Sequence, residues 1–282
     1  MRSFSRWLVR HRKVQLGSLL GIPLVWLVVV YLGSIAALVV SSFYGLDSFT
    51  FSVVKKFQLT NYQELMSWAP YGRITLRTMV IAVGVTVVDL SLAIPIAFYM
   101  VKVATPRVRR VLTVAVTVPL WASYLVKAYA WRVLLDPAGG LFKRVLGGSP
   151  RLGIVTVIIT LGYLWLPYAI LPIAAGFERL PNSLLEASSD LGAKAGQTFR
   201  SVIVPMLKPA VLAASIFTFS LSLGDYIAVG IVGGKTQVIG NVIYSNFGVN
   251  NVPLAAAFAM VPMAIMVGYL LLVRKTGALD NL

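Results

Sequence analysis

Six apolar stretches dominate this 282-residue chain, at roughly 16–42, 75–101, 111–133, 152–177, 209–232 and 252–273. Each is at least about twenty residues long, enough to cross a bilayer core as a helix. In hydrocarbon every backbone amide must find its partner inside the segment, so runs of this kind fold as helices. The residues are 58% hydrophobic and only 12% charged, more apolar surface than a soluble domain of this length can hide. The expected fold class is all-α: a polytopic membrane helix bundle with six transmembrane helices. No Gly/Ser linker interrupts it, so residues 1–282 read as a single transmembrane domain.

Several chemistries are excluded at once. There is no cysteine and one histidine, His11. Disulfides, Cys/His metal sites and histidine-dependent triads are therefore not expected, nor is a metal or cofactor held by this chain. The net charge of +16 does not point to nucleic acid. The basic residues sit mostly in short segments between spans, where membrane lipid headgroups attract them. Arg2, Arg6, Arg10, Arg12 and Lys13 precede the first apolar run. That run, about Leu16 to Val40, is too long for the apolar region of a signal peptide and reads as a retained span.

Lys and Arg counts orient the bundle. With the N-terminus inside, inner segments hold fifteen of them and outer segments eight. Both termini are thus expected in the cytoplasm. Pro95, Pro119, Pro167, Pro172 and Pro262 fall inside apolar runs and predict kinked spans, which suit either packing or a transporter that changes shape.

The segment from about 178 to 208 is the longest polar stretch on the inner side. Ser183 and Glu186 form an S-x-x-E pair, which predicts a capping box at a helix start. Gly192 stands where that helix would need a left-handed residue. A second short helix over about 194–203 leads to Pro205 and Pro209, residues accepted early in a helix. The expectation is a helix-turn-helix lying on the inner membrane face.

Two other features invite function. Gly230-Ile-Val-Gly-Gly-Lys-Thr236 looks like a phosphate loop, but the spacing fails: position 229, where the first glycine belongs, is Val. Any ATPase must be a separate chain. Asp89 and Asp225 lie within spans, where an ionisable group is costly and a functional candidate by default. Asp225 with Tyr226 offers a carboxylate beside a ring, a pairing that holds organic cations. The structural alternative for Asp225 is an ion pair with Lys127 or Arg132. For Asp89 structural hydrogen bonding is expected. Tyr124, Tyr129, Tyr163, Trp165 and Tyr244 read as an interfacial aromatic belt, whereas Trp131 beside the charged positions of span three is a pathway candidate.

The inner loop resembles the coupling loop of ABC-importer permeases. Those carry Glu-Ala-Ala, three residues, Gly, nine residues, then Ile-x-Leu-Pro. Here Glu186-Ala187-Ser188 is followed by Gly192 and by Val202-Ile203-Val204-Pro205. The resemblance implies a type I ABC importer permease fold in the bacterial inner membrane. It implies that Glu186, Ala187, Ser188, Gly192 and Pro205 belong to the cytoplasmic coupling loop that docks on an ATPase. The stretches Ser123–Leu135, Leu166–Pro172, Leu221–Tyr226 and Ile239–Ile243 resemble the spermidine/putrescine subgroup, over a core of about 70–275. The charges and rings inside the spans make Asp225, Tyr226, Asp89, Trp131 and Lys127 the candidate substrate pathway. The resemblance also implies two ATPase chains holding ATP and Mg, a second and different permease, and an extracytoplasmic binding protein. The alternatives are a permease for ferric iron, thiamine, sulfate or molybdate, with Lys127 and Arg132 foremost, and an ion-coupled secondary transporter, which leaves the inner loop unexplained.

Overall fold

In a computed structural model the chain is described at residues 17, 20–21, 23–47, 49–50, 52–66 and 68–275. The basic N-terminal tail with His11 lies outside the described residues. Among the described residues five helices are long and apolar enough to cross a membrane, and a bent pair taken as one span makes six.

Helix α1 (Pro23–Ser41) buries none of its apolar window. A small cap follows. Strands β1 (Gly45–Leu46) and β2 (Val53–Val54) pair antiparallel, and helix α2 covers Thr60–Met66. Buried Asn61 donates to the carbonyls of Ser42 (2.9 Å) and Tyr44 (2.8 Å), which staples the cap to the end of α1. Phe43 stacks on Phe57 with centroids 4.7 Å apart. At the hairpin turn Asp47 accepts amides of Phe49 and Thr50 at 2.8 and 3.0 Å. Those bonds favour the charged form and hold its carboxyl below the ordinary range.

Helix α3 (Ala69–Val103) is regular from Arg73 to Phe98. At 1.5 Å per residue that part alone spans about 39 Å, so the cap and the polar loop at 178–208 sit at opposite ends of the bundle. Helices α4 (Pro106–Trp121) and α5 (Tyr124–Leu134) meet at 99°. The single span expected over 111–133, kinked at Pro119, is thus two short helices. Pro119 disturbs the last turn of α4, Ala122 is extended (φ −74°, ψ 141°), and Lys127 Nζ clasps the bend by donating to the Pro119 carbonyl at 3.0 Å. After α6 (Leu141–Leu146) comes α7 (Ile154–Glu178), then α8 (Asn182–Asp190) and α9 (Ala195–Gly224). Short helices α10 (Ile227–Val232) and α11 (Ile239–Gly248) precede α12 (Val252–Lys275).

The span expected over 209–232 is also corrected. Its helix begins at Ala195 and stops at Gly224. The loop's second helix and the fifth span are one rod. Pro205 therefore lies inside the rod, directly after a π-helical turn over Phe199–Ile203, the local widening by which a membrane helix accommodates a residue without an amide.

Helices α3, α7 and α9 form the centre. One apolar cluster joins them at the α8 end through Ala97, Met100, Ile173, Phe177, Ile203 and Leu207. A second, at the cap end, joins α3 and α7 to α10 through Ile81, Val85, Val157, Leu161 and Val229. Close packing in a membrane needs small residues at the contact. A Cβ on Gly176 would stand 2.6 Å from that of Ala210 and 3.1 Å from Leu207 Cδ2. Gly176→Leu is therefore expected to force α7 and α9 apart at a cost of about 1–3 kcal/mol. Thermal unfolding in mild detergent would show it as a midpoint several degrees lower; an unchanged midpoint would mean the pair tolerates separation.

Candidate functional site

The polar loop folds as two helices joined by a tight turn. Helix α8 begins two residues earlier than a cap at Ser183 requires. Pro181 is its N-cap and no side chain caps it, so the expected Ser183–Glu186 capping box does not form. Pro181 already has extended backbone (φ −66°, ψ 135°), and Asn182 follows directly into the helix. The far end fits expectation. Gly192 is left-handed at φ +76°. Its amide donates to Ser189 O at 2.8 Å and the Ala193 amide to Ser188 O at 3.1 Å. These two bonds make a complete Schellman turn, which satisfies the last carbonyls of α8.

Ser188 and Thr198 then share a hydroxyl contact of 2.8 Å that closes α8 against α9. The serine at the third small position is thus the latch of the hairpin. Glu186 and Ala187 are exposed. Glu186 has no hydrogen-bond or ion-pair partner among the described residues. Leu184 (41% exposed) and Leu191 (87%) lie about one helical turn before and after Ala187, on the same side. The loop presents a small apolar strip beside a carboxylate, with nothing among the described residues covering it.

The break after Gly224 makes the second feature. Asp225 is extended (ψ 108°) and ends α9. Its carboxylate accepts the Ala228 amide at 2.9 Å, which satisfies a free donor at the start of α10. It also accepts the Tyr124 hydroxyl in a very short bond. The ion pair with Lys127 or Arg132 is not formed. Lys127 is committed to the α4–α5 bend, and Arg132 Nη1 is buried without a hydrogen-bond partner.

Asp225 lines a cleft of about 250 Å³ with Tyr124, Trp165, Leu221, Gly224, Tyr226 and Ile227. Tyr226 stacks on Tyr244 at 4.8 Å, and Tyr124 on Trp165 at 6.0 Å. Gly240 lets α11 close on this break, since a Cβ there would meet Tyr226 Cβ at 2.9 Å.

The other pathway candidates lie elsewhere. Trp131 packs on Tyr163 and Phe142, at 5.4 and 6.1 Å. Asp89 is fully buried in α3 against Gly162 of α7. Neither Asp89 oxygen has a protein hydrogen bond, so the expected structural bonding is absent: the helices pack there through a glycine and apolar side chains. Tyr124 and Trp165, read as belt residues, belong to the cleft instead. Tyr124 had one usable signal, its place next to the proline-broken span.

Residues 90–276 match the family described as the binding-protein-dependent transport system inner membrane component. The chain belongs to this family. The permease is 43% identical over 279 residues to the inner membrane ABC transporter permease protein YdcU of Escherichia coli (strain K12), across 92% of this chain and 89% of that one. It is 30% identical over 261 residues to the spermidine/putrescine transport system permease protein PotB of the same organism, across 88% and 92%. In fold it is similar to a chain of a bacterial alginate ABC transporter, solved with an alginate pentasaccharide-bound periplasmic protein. The TM-score there is 0.76 at 14% identity, over 95% of each chain. The permease is a multi-pass inner-membrane component of an ABC importer and not an enzyme.

Proposed function

We propose that the permease passes polyamines such as spermidine and putrescine across the inner membrane. The observation that carries this reading is the Asp225 cleft, a carboxylate set among Tyr124, Trp165 and Tyr226. A carboxylate flanked by ring faces suits an alkylammonium, through charge and cation–π attraction. Similarity to PotB supports the same substrate class. The anion reading is weaker here, because Lys127 is spent on the α4–α5 bend.

In this reading α8 and the Gly192 turn face the cytoplasm, as do both termini, and dock on one of two ATPase chains that hold ATP and Mg. Glu186, Ala187 and Leu191 meet the ATPase, Ser188 latches the hairpin, and Pro205 lies in the rod that carries the motion. A second, different permease completes the pore, and an extracytoplasmic binding protein delivers substrate. Closure of the ATPases rocks the spans between inward-open and outward-open forms.

Uptake of radiolabelled putrescine and spermidine, compared between cells with the whole transporter and cells lacking this chain, tests the substrate. Loss of polyamine uptake is expected. Unchanged polyamine uptake with loss of sulfate, thiamine or ferric iron uptake would replace the substrate and keep the importer.

A further inference from the structure

The turn between α3 and α4 is only two residues long, Ala104 and Thr105. Thr105 caps α4 by accepting the Val108 amide, and Pro106 takes the first helical position. Each side of this corner sends one cation to the entrance of α8. Lys102, in the last turn of α3, donates from Nζ to Leu180 O at 2.6 Å and to Asn182 Oδ1 at 2.8 Å. Arg109, in the first turn of α4, forms an ion pair with Glu178, the last residue of α7. Residues 178, 180 and 182 bracket the non-helical link into α8, and all three are gripped by one corner. The exit of α8 is different: past its Gly192 turn the chain enters α9 directly.

We propose that Lys102 and Arg109 are positioning residues that convey displacement of α8 into α3 and α4. This rests on the reading of α8 as the ATPase contact. Without the grip, the link at 179–181 would bend and absorb the motion, because no helix runs through it. With the grip, the link and the corner move together, and α3 carries the displacement past Asp89 to the cap end. The Arg109–Glu178 side chains are 41% and 52% exposed, so the pair contributes little to folding. Its effect is a constraint on direction. The Lys102 contact lies beside the C-terminal end of α7, where the helix dipole favours a cation.

The test uses the assembled permease–ATPase complex. The chain has no cysteine, so with cysteine-free partners a single fluorophore can be placed at Ser189, exposed on α8 away from the Leu184–Ala187–Leu191 strip, or at Leu76 (55% exposed) toward the other end of the bundle. The non-hydrolysable nucleotide AMP-PNP is added and the emission change recorded. In the native complex both positions are expected to respond. With Lys102→Gln and Arg109→Glu together, Ser189 should still respond, while the Leu76 response falls about two- to fivefold, as expected for losing constraints of this strength. With Lys102 intact, the swap Arg109→Glu with Glu178→Arg should restore the native Leu76 response. A native Leu76 response in the doubly substituted complex overturns the grip. Silence at Ser189 in the native complex overturns the coupling reading beneath it.

Discussion

Gly192→Val should cut transport about tenfold or more, within the range of a 1–3 kcal/mol coupling energy. Membrane insertion should be unaffected. The residue sits at φ +76° with open space around it. A side chain there meets no neighbour; the difficulty is the backbone. Left-handed geometry costs an ordinary residue about 1–2 kcal/mol, and a β-branched one is a poor fit to it. The Schellman turn would open, and α8 would leave the angle fixed by Gly192 and by the Ser188–Thr198 latch. Glu186→Ala should produce a similar loss by another route. Glu186 has no partner among the described residues, so its removal is expected to cost the fold little and to act through a second protein. Immunoblots of membranes alongside uptake assays separate the effects. Full uptake by both variants at normal membrane levels would leave the loop without its coupling role.

Asp225→Asn should lower polyamine uptake about ten- to a hundredfold, the range of one charge-assisted bond to an ammonium. Asparagine keeps the volume, and its Oδ1 still accepts the Ala228 amide, so the break at 225 survives. Its Nδ2 takes the place of the oxygen that accepted the Tyr124 hydroxyl, so that contact persists only with Tyr124 as acceptor. Tyr124→Phe, which leaves the charge and removes one hydroxyl, should have a smaller effect. Equal uptake by native and Asp225→Asn transporters would reduce the carboxylate to a cap for α10.

Much of this was legible in the residues, and the failures have physical causes. Apolar run length gave the crossings because the bilayer imposes it. Gly192 was readable because positive φ selects glycine. Pro119 announced a kink, but its near right angle and the break at Asp225 escaped because apolar composition continues through both, and hydropathy does not register backbone direction. The capping box failed because Pro181, already extended, took the cap position before Ser183. Lys102, Arg109 and Glu178 were invisible as a group. They lie on three elements and meet only because a two-residue corner turns α4 back toward α7. Asp225 looked like one half of an ion pair; its partner is a tyrosine about a hundred positions away, and sequence spacing carries no trace of that bond.

The staple at Asn61 bears on how the molecule sits in lipid. Helix α1 is tied to the cap through Ser42 and Tyr44 and buries none of its own apolar window. Its nineteen residues extend about 28 Å, close to the hydrocarbon thickness of a bilayer. Where the membrane thins or thickens, a helix moored at one end adjusts by changing its tilt. The outermost span can then absorb mismatch as a hinged float, and the three central helices keep their register.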